Sequence, residues 1–142
     1  MIDLEAVLEL DNGRRLSESG GILFYLSEGT PFLPDDRLAR AEVLQWMFFE
    51  QYSHEPYVAV ARFWLHHLEM IEEREKVLPE KHVRGHAALG VMERHLDQHD
   101  YFAAGRYTVA DEGGFDQARY PALDAWLGRV VTHPGHIPID QG

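Results

Sequence analysis

Two adjacent residues, Glu18 and Ser19, have side chains suited to binding a small zwitterion. They open a predicted helix, and a helix N-terminus presents unpaired backbone N–H groups and a partial positive charge to a carboxylate. The Ser19 hydroxyl adds a donor, and the Glu18 carboxylate can accept from an ammonium group. The pair fits the α-amino acid end of a peptide, although a simple helix-capping role for Ser17 or Ser19 is the commoner use of such residues.

A polar run at residues 50–55 interrupts the most apolar predicted helix, just before Pro56. Polar groups on an otherwise buried helix either pair internally or line a cleft. Tyr52 and His54 are the candidates for contacting a second ligand there. From these residues alone, a cleft or subunit interface and a satisfied buried network remain equally open.

Two histidine pairs have the spacing of metal ligands on a helix, His82 with His86 and His95 with His99. Residues four apart share a helix face, but a metal site needs at least three convergent groups and no third ligand is evident. We therefore predict solvent-exposed histidines and no metal. The sequence also contains no dinucleotide-binding or phosphate-binding glycine loop, so no cofactor is expected.

The overall charge of the chain restricts its partners. It has 142 residues, 13 Lys+Arg against 24 Asp+Glu, a formal net charge of −11 and no cysteine. An acidic chain is a poor partner for nucleic acid or an anionic membrane. The lack of cysteine excludes disulfides, thiolate zinc sites and a cysteine nucleophile. No secretory signal or membrane-spanning run is evident, so a cytoplasmic location is expected.

The first predicted unit that would position Glu18 and Ser19 is a hairpin followed by a helix. Residues 6–17 predict the hairpin, since Asn12-Gly13 tolerates the positive φ angles of a tight turn. The polar start at 17–19 and the apolar residues after it predict a helix to about residue 28. Two strands alone are marginal in water, so this helix should cover them.

Helical periodicity dominates the chain beyond a proline-containing linker at residues 29–35. Asp35 or Asp36 can cap the next helix, and Pro56 predicts a kink within it. The charged residues 69–76 are expected to fray, and Pro79 to begin a new helix. The last predicted helix spans 121–130, with proline in its first turn and a clean apolar stripe.

Taken in order, these segments resemble the soluble, bacterial-type glutathione S-transferase family over nearly the whole chain. The order and spacing of the matching segments make the resemblance specific. They are VLELDNG at 7–13, LSESGGILFYL at 16–26, PFLP at 31–34, LQWMFFEQ at 44–51, GRYTVAD at 105–111 and RYPALDAWL at 119–127.

The resemblance implies a mainly α protein with two parts. Residues 1–28 would form a partial thioredoxin-like β-β-α lobe, 29–35 a linker, and 36–142 the all-α C-terminal domain of the family. Glu18 and Ser19 would hold the γ-glutamyl end of glutathione, to which the Val7 backbone would also bind. The family has a cis-proline before the equivalent of Val7; Ala6 stands here, and a non-proline cis bond costs about 2.5–4 kcal/mol, so that contact should be looser.

The resemblance also implies two departures from the family pattern. Family members begin with a β-α-β unit that carries the thiol-contacting Tyr, Ser or Cys, and we expect that unit to be missing here. Thr108 and Asp111 look like the family's helix-capping box. The sequence after them is ordinarily found beyond a central buried helix, so we expect that helix to be missing as well.

These expectations lead to two functional hypotheses. The first is a glutathione transferase that conjugates glutathione to a small hydrophobic electrophile held near Tyr52 and His54, with no catalytic residue identified in this chain. The alternative is a non-catalytic scaffold or dimerisation module, or a truncated remnant. Missing elements would expose strand edges and apolar helix faces, so a homodimer is predicted.

Overall fold

The computed structural model describes residues 7–69, 71–106 and 120–134. It confirms a mainly α chain with a small β-β-α unit at the start. The elements in order are β1 (Val7–Glu9), β2 (Arg15–Ser17), α1 (Ser19–Ser27), α2 (Arg37–Phe49), a π-helix (Glu50–Ala59), α3 (Val60–His67), α4 (Glu72–Leu96) and α5 (Pro121–Val131).

The predicted hairpin is present, with β1 and β2 antiparallel. Its turn is closed by a 2.8 Å hydrogen bond from Leu10 N–H to the Arg14 carbonyl, and Gly13 has a φ of +77° that suits glycine. Val7 pairs with Ser17 in the register of the strands. This pairing places Val7 at the end of the hairpin where the chain enters α1.

A nearly continuous helical segment runs from α2 through the π-helix into α3. The Asp36 carboxylate caps α2 by accepting from the Ala39 N–H at 2.9 Å, one of the two caps that the sequence indicated. The helix continues through Pro56, as expected, but the ten residues around it form a π-helix. Proline lacks the N–H that an α-helical hydrogen bond needs, and a wider helix accommodates that loss.

The prediction that a helix begins at Pro79 was wrong. Helix α4 begins seven residues earlier, at Glu72, and Pro79 lies inside it. Residues 72–76 do not fray, because acidic residues in a first turn are stabilised by the helix dipole. The Glu72 carboxylate also lies 2.6 Å from the Lys76 ammonium one turn later.

The hydrophobic core lies between α2, α4 and α5. Trp126 is 1% exposed, and its ring centroid is 4.9 Å from that of Phe102. The Glu93 carboxylate of α4 accepts from Ala122 N–H at 3.0 Å and Leu123 N–H at 2.9 Å, so it caps the N-terminus of α5. The buried apolar members of this cluster are Leu33, Val43, Trp46, Leu89, Met92, Leu96, Phe102, Ala103, Leu123, Trp126 and Val130.

Candidate functional site

A cavity of about 510 Å³ lies between the N-terminal half of α1 and the segment where α2 passes into the π-helix. It is open on one side and brings together two of the sequence motifs singled out above, the Glu18-Ser19 pair and the polar run. Its walls are formed by Glu18, Ser19, Gly20, Gly21, Leu23, Phe24, Leu44, Met47, Phe48, Glu50, Gln51 and Tyr52.

The N-terminus of α1 presents free donors to this cavity. The first helical hydrogen bond runs from Ile22 N–H to the Glu18 carbonyl at 3.0 Å, so the three preceding N–H groups have no helical acceptor. Within the described part of the chain, neither Ser17 nor Ser19 makes a side-chain cap. Gly20 and Gly21 line the cavity and carry no side chain, so a carboxylate can approach their backbone, and the helix dipole favours its charge.

The backbone of Glu18 has a conformation that L-residues rarely adopt. Its φ is 69° and its ψ is 117°. A residue held in such a sparsely populated region costs of the order of 1–3 kcal/mol, and such residues cluster at ligand-binding sites. The strained backbone therefore supports a functional reason for a glutamate here, where glycine would fit more easily.

The opposite wall of the cavity is largely apolar. Leu44, Met47 and Phe48 of α2 face the cavity together with Tyr52 of the π-helix. The Phe48 and Tyr52 ring centroids lie 6.5 Å apart, and Tyr52 is 73% exposed. This surface can bind an aromatic or aliphatic group beside the polar end of the cavity. Tyr52 is thus in the same cavity as Glu18 and Ser19.

His54, the other candidate for an electrophile site, lies outside this cavity. Its side chain is buried, at 1% exposure, and its Nδ1 is 3.7 Å from the Glu50 Oε1. Val7 does not line the cavity either, although it pairs with Ser17 immediately before the site. The structure therefore groups Glu18, Ser19 and Tyr52, and separates His54 from them.

Sequence reasoning missed Glu50 as a wall residue. It belongs to the polar run that the sequence marked before Pro56, but only the folded chain shows which members of that run face the cavity. Leu44 and Phe48 are four residues apart, the spacing of an apolar helix stripe. Helical spacing alone does not separate residues that face a core from those that face a cleft.

The histidine prediction was correct for three of the four residues. His82, His86 and His99 are exposed, whereas His95 is half-buried with its ring centroid 4.6 Å from that of Trp46. Among the residues that the structure describes, no group of three or more potential ligands could hold a metal ion.

Two further sequence expectations concern the predicted capping box and the absence of a membrane-spanning run. Thr108 and Asp111, the predicted capping box, lie outside them. Across the described ranges, none of the helices combines the length and apolar character needed to span a membrane.

Comparison with solved structures identifies the family. A glutathione S-transferase from Pseudomonas fluorescens Pf-5 superposes with a TM-score of 0.84 at 47% sequence identity, over 93% of this chain and 71% of that one. The chain belongs to the glutathione S-transferase family. A possible glutathione S-transferase from Rhodopseudomonas palustris gives a TM-score of 0.84 at 44% identity, over 96% of this chain and 67% of that one.

A curated relative agrees with this family placement. The Escherichia coli K12 disulfide-bond oxidoreductase YghU is 31% identical over 118 residues, which are 82% of this chain. The chain spans 37% of the length of that relative. No protein-family model matches the sequence.

Proposed function

We propose that the chain binds glutathione in the cavity, with the γ-glutamyl end at the N-terminus of α1. The observation that carries the proposal is the set of open N–H groups at 19–21 beside the Glu18 carboxylate. The ligand carboxylate binds these N–H groups and the Ser19 hydroxyl, and its ammonium binds Glu18. Family membership supports the same ligand, and the Val7 backbone, in the strand pair that leads into α1, is the further contact that the resemblance implies.

We propose further that the bound thiol is transferred to a small electrophile on the apolar wall near Tyr52. With an aryl chloride, the glutathione sulfur attacks the ring carbon that bears chlorine. The C–S bond forms, the C–Cl bond breaks, chloride leaves with the electron pair and the thiol proton goes to solvent. This chain has no cysteine, so the reactive sulfur is the ligand's own.

Calorimetric titration of glutathione tests the binding site. Replacing Ser19 by alanine removes one donor to the carboxylate, and we expect affinity to fall roughly tenfold. Ser53→Ala is the matched control, since Ser53 is in the π-helix but not on the cavity wall, and it should bind like the unmodified chain. Equal affinity of the Ser19→Ala and unmodified chains for glutathione would contradict the assignment of Ser19 as a donor to the ligand carboxylate.

Turnover of 1-chloro-2,4-dinitrobenzene separates the enzyme from the scaffold hypothesis. Conjugation that depends on Ser19 supports a transferase. Glutathione binding without turnover supports a non-catalytic glutathione-binding module, and no binding at all leaves only an interaction scaffold.

The name of YghU favours a second reaction for the same bound thiol. A glutathione thiolate can attack a small disulfide, forming a mixed disulfide and releasing one thiolate; a second glutathione then releases the other half as a thiol and leaves oxidised glutathione. The chemistry needs no protein cysteine. Replacing the aryl chloride by a symmetrical disulfide in the same assay measures which acceptor is used faster.

Homodimer formation remains part of the proposal. The described residues expose large apolar side chains on several helices, among them Leu38 at 69% and Phe63 at 52%. Surfaces of this kind favour association. Size-exclusion chromatography with light scattering would show a dimer, and a monomer over the concentration range of the binding assays would remove this part of the proposal.

A further inference from the structure

The charges on the cavity wall are all of one sign. Of the twelve described residues that line it, two are acidic, Glu18 and Glu50, and none is Lys, Arg or His. These carboxylates lie on opposite walls, one on the chain entering α1 and the other in the π-helix. A ligand group beside Glu50, away from the N-terminus of α1, therefore experiences a negative potential, and no Lys, Arg or His among the described lining residues offsets it.

The two carboxylates have different partners. In the proposed function, the Glu18 carboxylate is paired with the ammonium of glutathione. Glu50 is half-buried, and its Oε1 lies 3.7 Å from the Nδ1 of His54. That distance is too long for a hydrogen bond. Glu50 lines the same part of the cavity as Phe48 and Tyr52, so its carboxylate adds negative charge to that side.

Bound glutathione increases this negative charge. The peptide has two carboxylates and one ammonium at neutral pH, and its thiolate form has one more negative charge. An electrophile that enters beside it is close to the glutathione anion and to Glu50, and contacts an apolar wall. An anionic substituent would lose its water there without gaining a cationic partner.

We propose that Glu50 is a specificity-determining residue, which makes the cavity select uncharged or cationic aromatic electrophiles over anionic ones. This inference rests on the proposed function, because it concerns the group attached to the glutathione sulfur. A unit charge a few ångströms away in a partly solvated cavity changes affinity by roughly tenfold. Replacing Glu50 by a neutral residue should therefore reduce the preference for uncharged over anionic electrophiles roughly tenfold.

Preformed conjugates test the inference without requiring turnover. Three S-(2-nitrophenyl)glutathione derivatives are compared, with a carboxylate, a carboxamide or a trimethylammoniomethyl group para to sulfur. Their dissociation constants are measured by calorimetry for the unmodified chain, Glu50→Gln and Glu42→Gln. Glu42 is exposed on α2 and does not line this cavity, so its variant makes the same change in net charge away from the ligand.

The unmodified chain and Glu42→Gln should prefer the carboxamide to the carboxylate by the same factor, and Glu50→Gln should lower that factor about tenfold. Added salt should weaken the discrimination. A merely structural role for Glu50 would weaken all three conjugates alike and leave their ratio unchanged. If Glu50→Gln binds glutathione but leaves the ratio of the carboxylate and carboxamide dissociation constants unchanged, the inference is overturned and the proposed function stands. If the unmodified chain binds neither glutathione nor any conjugate, the proposed function and this inference are overturned together.

Discussion

The β-β-α lobe at residues 7–28 and the helical bundle that follows contribute differently to the molecule. Among the described residues, every buried apolar side chain lies at or beyond Leu33, and the one buried residue of the lobe is Ser27. The lobe nevertheless supplies Glu18, Ser19 and the open N–H groups of the candidate site. Groups that bind ligand must remain accessible, so the segment that carries them contributes little to the core.

Two helix N-termini of the bundle show the same difference, whereas α4 begins without a described side-chain cap, as α1 does. In the bundle, Asp36 caps α2 and Glu93 of α4 caps α5. In the lobe, the N-terminus of α1 has no described side-chain cap, and Glu18 before it has a φ of 69°. An uncapped helix end and a strained residue both cost stability, and both are useful where a ligand supplies the missing hydrogen bonds.

The largest expected effect contrasts a core residue of the bundle with an exposed residue of the lobe. Trp126→Ala removes a side chain that is 1% exposed, and we expect the free energy of unfolding to fall by about 3–5 kcal/mol. Leu26 is 55% exposed in α1, so Leu26→Ala should cost at most about 0.5 kcal/mol. Urea denaturation measures both, and similar losses would show that the lobe is as tightly packed as the bundle.

A smaller effect of opposite sign is expected at Glu18. Glycine adopts positive φ without the steric cost of a Cβ, so Glu18→Gly should raise the free energy of unfolding by about 1 kcal/mol. The same variant should bind glutathione more weakly because the ammonium loses its partner. Glu18→Ala keeps the strain and is the control: it should lose affinity without gaining stability. Equal stabilities of the two variants would contradict a strained backbone.

Much of the fold follows from local signals in the sequence. Asn12-Gly13 specifies the hairpin turn, and Pro121 with the apolar stripe after it specifies α5. The start of α4 was predictable in principle, because Glu72 and Glu73 are favourable in a first helical turn, but Pro79 was given more weight than those charges. The π-helix was not predictable, since Pro56 is compatible with either a kink or a wider helix.

The candidate site was predictable only in its parts. Residue types at the start of α1 suggested a zwitterion site, and the polar run suggested either a cleft or subunit interface or a satisfied buried network. Which residues of that run share the cavity depends on how α1 packs against α2, and this is a tertiary property. Tyr52 faces the cavity and His54 is buried although they are two residues apart, a separation that places side chains on different helix faces.

The smallest expected effect concerns the ion pair that joins the lobe to the bundle. The Arg40 guanidinium of α2 donates to both oxygens of Glu28 at the end of α1, at 3.2 and 2.6 Å, and these hydrogen bonds hold the pKa of Glu28 below its ordinary value of 4.5. A lowered folded-state pKa stabilises the fold above the unfolded-state pKa, and this contribution is lost as pH falls through the folded-state pKa.

Arg40→Gln should therefore destabilise the chain more at pH 7 than at pH 3, by a small amount because the pair is largely exposed. Arg37→Gln on the same helix is the matched control and should show no such pH dependence. Arg40 also lies over the Phe24 ring, 5.5 Å from its centroid, and that contact does not titrate in this range. Urea denaturation at the two pH values separates the contributions: a loss that is equal at both would mean that Arg40 joins lobe and bundle through Phe24 alone.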